Sequence, residues 1–165
     1  MSTKGPPLRV FVDTNALLAM VLFPSDDAGQ PTLAGEVKAL YESDAFEMVV
    51  SKVVVHELMA VVDDRFPDQR VLSERLVRPF DSRLTPWPNR HDVRSALPFV
   101  LYREDAPVFA AAAVSKPDIV LSNDFETVYA QRAKPFWTHH GIRVESLYGL
   151  LCVFGRRERK EGEAR

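Results

Sequence analysis

The sequence predicts an α/β fold: three α/β/α layers around a central parallel β-sheet. Short apolar runs rich in β-branched residues, at residues 8–12, 46–50, 118–122 and 141–145, have the length of buried strands. Between them lie longer stretches whose apolar residues recur every three to four positions, as in amphipathic helices. Strands that alternate with helices pair in parallel, and right-handed crossovers place the helices on both faces of the sheet.

The helices are predicted from this periodicity and from the residues that end each stretch. The segment 105–115 contains a run of four alanines, and its Pro107 falls in the first turn, where proline is tolerated. A short edge strand is expected over 83–87, because Pro86 and Pro88 suit an edge and not the centre of a sheet. In chain order the predicted helices cover residues 14–23, 32–43, 52–65, 68–80, 91–102 (interrupted before Pro98), 105–115, 125–133 and 146–154.

Composition bounds the class of protein. The 165 residues suffice for one hydrophobic core, with 46% hydrophobic and 27% charged residues. We expect one domain over residues 1–155, followed by a charged, frayed tail over 156–165. No apolar stretch approaches the roughly 18 residues that a membrane span needs. The N-terminal segment 1–7 also lacks the apolar region of a signal peptide. A cytoplasmic protein with no membrane partner is therefore expected.

Cysteine content and charge add two exclusions. The single cysteine, Cys152, cannot form an internal disulfide, and its apolar neighbours favour a buried core thiol over a reactive one. The formal net charge of −2 argues against a protein that coats nucleic acid without specificity. It does not exclude an enzyme of nucleic acids, since 21 lysines and arginines remain to meet phosphates.

Four acidic residues lie where strands give way to helices. Asp13 follows the first strand directly, and Asp124 comes two residues after strand 118–122. The helix that begins at Asp105 runs back about 17 Å, and the next strand returns about 20 Å, so Asp105 is expected near Asp124. Glu57 is in the second turn of a helix, where side chains lean toward the N-terminus. All four should meet at the carboxyl ends of the strands, where sites form in such sheets.

Each acid also has a structural interpretation. Asp105 could be only a helix N-cap, Asp13 and Asp124 could cap or turn the chain after a strand, and Glu57 could be a solvated helix residue. One shared site explains all four at once, and four carboxylates so close together require a divalent cation between them. Neighbouring acids fit less well: Glu104 is turned away by one helical position, Asp118 is at the wrong end of its strand, and Glu126 is at most an outer ligand, a solvated residue being favoured.

These segments resemble the PIN-domain nuclease family. The resemblance rests on Val12-Asp13-Thr14-Asn15, on Ser51 with Glu57 six positions later, on residues 105–112, and on Leu121-Ser122-Asn123-Asp124. It extends from residue 8 to about residue 150, although residues 80–104 have no counterpart in the family pattern. It implies a sheet of strand order 3-2-1-4-5 and a shallow acidic groove that binds Mg²⁺ or Mn²⁺.

The resemblance also implies roles for single residues. Asp13, Glu57, Asp105 and Asp124 would be the catalytic and metal-binding set, and Thr14, Asn15 and Ser122 would help orient ligands or water. Family members cut RNA, and many are toxins of toxin–antitoxin pairs. The implied partners are therefore an RNA substrate, an antitoxin protein, or a second copy of the chain.

Three function classes remain open from the residues. The first is a metal-dependent endoribonuclease, a hydrolase that needs no protein nucleophile. The second is a catalytically silent PIN-fold module that binds RNA or protein, against which the complete acid set argues. The third is a metal phosphohydrolase of small phosphoesters, but Asn15 occupies the position where those with a nucleophilic aspartate carry a second aspartate. The four histidines lack zinc-site spacing.

Substrate contacts are only weakly indicated. Basic residues near the site-bearing segments could meet phosphates, although solvated surface is the commoner role for each. Three aromatic residues could stack on bases, although core or interface packing is the commoner role. The basic residues are Lys52, Arg103, Lys116, Arg132 and Lys134, and the aromatic residues are Trp87, Phe136 and Trp137.

Overall fold

The structure, a computed structural model, describes residues 5–81 and 83–159. The described residues contain a four-stranded parallel sheet in the order β2-β1-β3-β4, with helices packed against it. The predicted fold class is confirmed. Phe11 of the central strand pairs with Val49 on one side and with Val120 on the other. The strands are β1 Arg9–Val12, β2 Glu47–Val49, β3 Ile119–Leu121 and β4 Arg143–Glu145.

Helices occupy the connections between the strands. Several begin at a side-chain cap: Ser51 accepts a hydrogen bond from Val53 N (3.1 Å), and Ser146 accepts one from Gly149 N (3.0 Å). The helices are α1 Thr14–Leu22, α2 Leu33–Glu42, α3 Lys52–Arg65, α4 Arg70–Val77, α5 Arg90–Ala96, α6 Ala106–Ser115, α7 Lys134–His139 and α8 Leu147–Val153. Short 3-10 turns cover Pro67–Gln69, Arg78–Phe80, Leu97–Phe99 and Arg103–Asp105.

The core lies on both faces of the sheet. Val10, Phe11 and Val12 of β1 have no exposed surface, which explains why this strand is an unbroken apolar run and not an alternating one. Burial of such side chains stabilises the fold by about 25 cal/mol per Å² of apolar surface. The sheet therefore forms a rigid base for whatever lies at its carboxyl edge.

The predicted five-strand order 3-2-1-4-5 needs correction. Residues 83–87, the expected edge strand, contribute one parallel bridge, in which Thr85 pairs with Ser51 beside the end of β2. Thr85 N donates to Val50 O (3.0 Å), and Lys52 N donates to Thr85 O (3.1 Å). The described strands therefore keep the predicted neighbours but number four.

The helix predicted over 125–133 is wrong, and α7 was not predicted. Residues 125–133 form turns, which begin where the Asp124 side chain accepts the Glu126 and Thr127 amides. The Val128 carbonyl accepts the Trp137 indole N–H (2.9 Å) in place of a helical amide. Pro135 lies in the first turn of α7, where it is tolerated.

Other differences are at element ends. The helix predicted over 68–80 is α4 between two 3-10 turns, each of which holds a proline near its start. In the region 91–102, α5 gives way to a 3-10 turn at Leu97–Phe99, next to the predicted interruption. Cys152 is half-buried, less enclosed than expected. No helix within residues 5–81 and 83–159 is both long and apolar enough to cross a membrane.

The tail is held where the structure describes it. Arg157 Nη2 donates to Glu36 Oε2 (2.8 Å), and Tyr148 Oη donates to Glu158 O (2.7 Å). Arg159 Nη2 lies 2.7 Å from Oε1 of the buried Glu145. These contacts attach residues 157–159 to α2, α8 and β4, whereas a frayed tail was expected. The rest of the predicted tail, 160–165, lies outside the described residues.

Candidate active site

All four predicted acids line one cleft at the carboxyl edge of the sheet. Asp13 follows β1, Asp124 follows β3, Glu57 faces the cleft from the second turn of α3, and Asp105 lies directly before α6. The cleft has a volume of about 360 Å³. Its other lining residues are Thr14, Asn15, Ala60, Val61, Val108, Phe109, Thr127 and Val128.

Asp13 is the most buried of the four. Its side chain is 7% exposed, and its backbone N–H continues the β1–β3 ladder by donating to Leu121 O (2.9 Å). Oδ1 accepts the Thr14 N–H (2.7 Å), and Oδ2 accepts the Ser122 hydroxyl (2.6 Å). Asp13 therefore caps α1 and also lines the cleft, so its cap interpretation does not compete with its predicted role in a site.

Burial raises the pKa of Asp13 to about 6. The hydrogen bonds from Ser122 and Thr14 oppose this shift because they stabilise the carboxylate. The negative charges of Glu57 and Asp124 add to it. The pKa of Asp13 therefore records both the desolvation of this carboxylate and the nearby acids.

Glu57 is oriented by a neighbour from another element. The Thr14 hydroxyl donates to Glu57 Oε2 at 2.6 Å, which links the first residue of α1 to α3. Thr14 is 8% exposed, so water competes little for this bond. Glu57 is thus held toward the cleft and is not a freely solvated helix residue.

Asp124 is held by a local turn. One oxygen accepts the amides of Glu126 (3.2 Å) and Thr127 (3.1 Å), and the other accepts the Thr127 hydroxyl. The Asp124 amide donates to Ser122 Oγ (3.0 Å). Since Ser122 also donates to Asp13, this buried hydroxyl fixes the relative positions of two of the four acids.

Asp105 differs from the other three. It precedes α6 but makes no capping hydrogen bond with its side chain, so the simple N-cap interpretation fails. Its Oδ2 is buried and has no hydrogen-bond partner. Burial, together with the negative charges of Asp124, Glu57 and Asp13, raises the pKa of Asp105 to about 6. A buried carboxylate oxygen without a partner, on a residue that lines an acidic cleft, suits a cation.

The residues present fit a hard divalent cation. Every polar group offered by the four acids is an oxygen, the ligand type that Mg²⁺ prefers. Within residues 5–81 and 83–159, no three His, Cys, Asp or Glu side chains are arranged to hold one metal ion by themselves. Mg²⁺ usually takes one or two carboxylates and fills its remaining positions with water and substrate phosphate.

The other residues named from the sequence differ in where they lie relative to the cleft. Thr14 and Asn15 line the cleft, while Ser122 lies behind it and acts through Asp13 and Asp124. Glu126 is exposed and accepts the Tyr102 hydroxyl (3.0 Å). Glu104 is exposed. Asp118 lies at the opposite edge of the sheet from the cleft, where it accepts the Arg9 N–H (2.8 Å). Lys116 lies at that opposite edge as well.

Sequence reasoning missed Thr127, which is 4% exposed and lines the cleft beside Asp124. Its signal was the Asp-x-x-Thr spacing, typical of a turn in which an aspartate accepts nearby amides and hydroxyls. It also missed Tyr129, whose hydroxyl donates to the Ser122 carbonyl (3.0 Å). Of the aromatic residues named from the sequence, Phe136 and Trp137 are buried in the core, and Trp87 is 52% exposed.

Fold and site together define an α/β protein with a carboxylate-lined cleft at the carboxyl edge of a parallel sheet. The model of the PIN domain family matches residues 9–126, more than half of the chain. The chain therefore belongs to the PIN-domain family, as the sequence predicted. Membership in this family supports nuclease activity in general.

Comparison with solved structures gives a similar fold. One similar chain is from the crystal structure of VapBC2 from Rickettsia felis bound to a DNA fragment from their promoter. The TM-score is 0.50 and the sequence identity 12%, and the match covers 84% of this chain and 98% of that one. At this identity the similarity shows the fold alone. Comparison with curated proteins gives no match.

Proposed function

We propose that this protein is a metal-dependent endoribonuclease that hydrolyses phosphodiester bonds of RNA. The observation that carries the proposal is the convergence of Asp13, Glu57, Asp105 and Asp124 on one cleft, with a buried oxygen of Asp105 left unpartnered. Four carboxylates would repel a phosphate from this cleft unless their charge were offset. A bound divalent cation removes that conflict.

Asp13, Glu57, Asp105 and Asp124 would hold the ion, which we take to be Mg²⁺ or Mn²⁺, one or two of them directly and the others through its water molecules. When bound, such an ion supplies Lewis-acid activation of water and neutralises charge on the phosphate. Asp105 offers its free Oδ2 directly. Asp13, Glu57 and Asp124 offer carboxylates that Ser122, Thr14 and Thr127 already hold in place.

The residues of the cleft orient the carboxylates, and none of them attacks the phosphorus atom. The cleft lining contains no cysteine or histidine among the described residues, so a Cys-His or Ser-His nucleophile is not formed there. Water is then the nucleophile. Thr14 positions Glu57, and Ser122 positions Asp13. The carboxylates of Glu57 and Asp13 therefore lose little conformational entropy when the substrate binds and reacts.

The proposal extends to partners. We infer that the enzyme acts on RNA in the cytoplasm, with an antitoxin protein as a regulatory partner or with a second copy of itself. The similarity in fold to a chain of VapBC2 supports the antitoxin part of this inference. Light scattering of the purified protein, and co-purification from its native host, test it. A monomer alone, together with harmless overexpression of active enzyme, would contradict a toxin role.

The test of activity uses purified protein and mixed RNAs in Mg²⁺, Mn²⁺ or EDTA. We expect cleavage with either ion and none in EDTA. Asp13→Asn should abolish cleavage, whereas Asp118→Asn, at the opposite edge of the sheet, should leave it intact. Full activity in EDTA would overturn the metal-dependent mechanism, and absence of cleavage under every condition would favour a binding module.

A further inference from the structure

A second groove adjoins the acidic cleft along α3. It has a volume of about 450 Å³ and shares the residue Ala60 with the cleft. Lys52, His56, Met59 and Asp63 lie along it at helical spacing, so they belong to one face of α3. Leu84, from the segment that bridges to the end of β2, forms the opposite wall. A ligand in the cleft can therefore extend into this groove without leaving the surface.

An exposed aromatic pair stands at this groove. Trp87 packs edge-on against His56, with ring centroids 5.6 Å apart and an interplanar angle of 67°. Trp87 is 52% exposed, whereas the chain's other tryptophan, Trp137, is 5% exposed and donates its indole N–H to Val128. Large aromatic surfaces left in water beside a cleft are platforms on which nucleobases stack.

The groove has a positive charge at one end, from Lys52, and a negative charge at the other, from Asp63. Lys52 is exposed, and among residues 5–81 and 83–159 it has no ion-pair partner. One helical turn, about 5.4 Å, separates Lys52 from His56. The acid in the groove, Asp63, is paired with Arg70, so its charge is offset. An ammonium group beside an aromatic pair and an apolar floor complements a nucleotide, with phosphate at Lys52 and base at Trp87.

We propose that this groove is a nucleobase subsite beside the acidic cleft, in which Trp87, His56 and Lys52 hold one unpaired nucleotide. The inference rests on the proposed nuclease function. An unpaired nucleotide next to the scissile phosphate would place its base against Trp87 and His56 and its phosphate near Lys52. Paired bases are stacked inside a duplex and present no free face to this groove. We therefore expect the groove to add affinity for an unpaired strand and none for a duplex.

Binding is measured apart from cleavage, in the Asp105→Asn background with Mg²⁺ present. The probes are fluorescein-labelled hexa-adenylate, the same strand paired in a duplex, and a backbone of equal length without bases. Only the single strand should quench Trp87 emission. In the Trp87→Phe variant, Trp137 is the remaining tryptophan. Loss of the quenching in this variant would show that the fluorescence change comes from Trp87.

Matched variants test each contact. Trp87→Ala should weaken hexa-adenylate binding about tenfold or more. Phe23→Ala, which removes a similarly exposed ring (48%) at the far end of α1, should not. Lys52→Ala should lower the slope of log Kd against log salt by about 0.7, the value for one phosphate contact on a single strand. Lys38→Ala, from a lysine that pairs with Glu42, should leave the slope unchanged.

The outcomes separate the two proposals. Equal RNA affinity of wild type and Trp87→Ala, with folded variants by thermal melting, would overturn the subsite and would favour a protein partner in the groove. Equal binding of the base-free backbone would overturn it as well. Quenching by the single strand with no cleavage by the wild-type enzyme would contradict the nuclease proposal and leave the base subsite standing.

Discussion

At the scale of single residues, the four carboxylates differ in how the protein satisfies them. Asp13 and Asp124 each accept bonds on both oxygens, and Glu57 accepts one from Thr14. Asp105 keeps a buried oxygen without a partner. Because an unsatisfied buried oxygen costs free energy, its persistence points to a role that the fold alone does not require.

Asp105→Asn should reduce ribonuclease activity by at least about 100-fold, because the amide removes a negative oxygen from the cleft. Glu104→Gln should leave activity within about twofold, since Glu104 is exposed beside it. Initial rates of RNA cleavage in Mg²⁺ measure both. Equal damage from the two substitutions would show that the cleft-facing assignment of Asp105 is wrong.

Thr14 is predicted to act as a positioning residue for Glu57. Thr14→Val removes the hydroxyl that donates to Glu57 Oε2, and we expect about a tenfold loss of activity or of apparent metal affinity. Thr14→Ser keeps the donor and should restore most of it. The readout is the Mg²⁺ concentration for half-maximal rate, which a merely structural change would leave in place.

At the scale of elements, close backbone contacts fix how the helices sit. A Cβ at Gly35 of α2 would lie 1.8 Å from the Pro24 carbonyl oxygen, and that carbonyl also accepts the Thr32 N–H (3.1 Å). Backbone atoms held in this way cannot yield. Alanine has a higher helix propensity than glycine. At position 35 the steric conflict with Pro24 outweighs that gain, so alanine should destabilise the fold.

Gly35→Ala should therefore lower the free energy of unfolding by about 2 kcal/mol or more, which corresponds to roughly 4–8 °C in melting temperature. Gly5→Ala is the matched control, because no atom lies within 4 Å of a Cβ added there. Urea unfolding of both proteins measures the difference. An unchanged midpoint for Gly35→Ala would mean that the connection from Pro24 to α2 can shift.

At the scale of the whole molecule, the acidic site is built at a cost in stability. Burial and mutual repulsion raise the pKa of Asp13 and of Asp105 from 3.8 to about 6. A raised carboxylate pKa means that the unfolded chain ionises more readily than the folded one. These two groups then favour folding below pH 4, and that contribution is lost as pH rises toward 6.

The pH dependence gives a test without any activity assay. In EDTA, Asp105→Asn should melt higher than wild type by roughly 2–6 °C at pH 7, and the gap should shrink toward zero as pH falls from 6 to 4. Asp13→Asn should melt no lower than wild type at pH 7, since asparagine keeps an oxygen for Thr14 N.

Added Mg²⁺ should raise the wild-type melting temperature and should affect the variants less, because it binds the folded site only. Thermal melts at several pH values, with EDTA or Mg²⁺, measure these effects. A clear loss of stability for both variants in EDTA would show that the carboxylates serve mainly as structural hydrogen-bond acceptors.

The amino-acid sequence by itself determined the fold class, the family and the strand ends at which the four acids lie. Local periodicity defines the elements, and the parallel arrangement brings residues at strand ends to one edge. Helix α3 was predicted with the bounds it has, Lys52–Arg65, because its apolar positions repeat without interruption. Catalytic and metal-binding roles for the acids stay predictions.

Only the tertiary structure decided which side chains complete the site. Ser122 reaches Asp13 across 109 positions of sequence, and Trp137 takes the Val128 carbonyl that a helix over 125–133 would have used. The fifth predicted strand is reduced to one bridge, between Thr85 and Ser51. Trp87 stays in water while Trp137 is buried. Such outcomes depend on partner atoms far along the chain, which local patterns do not encode.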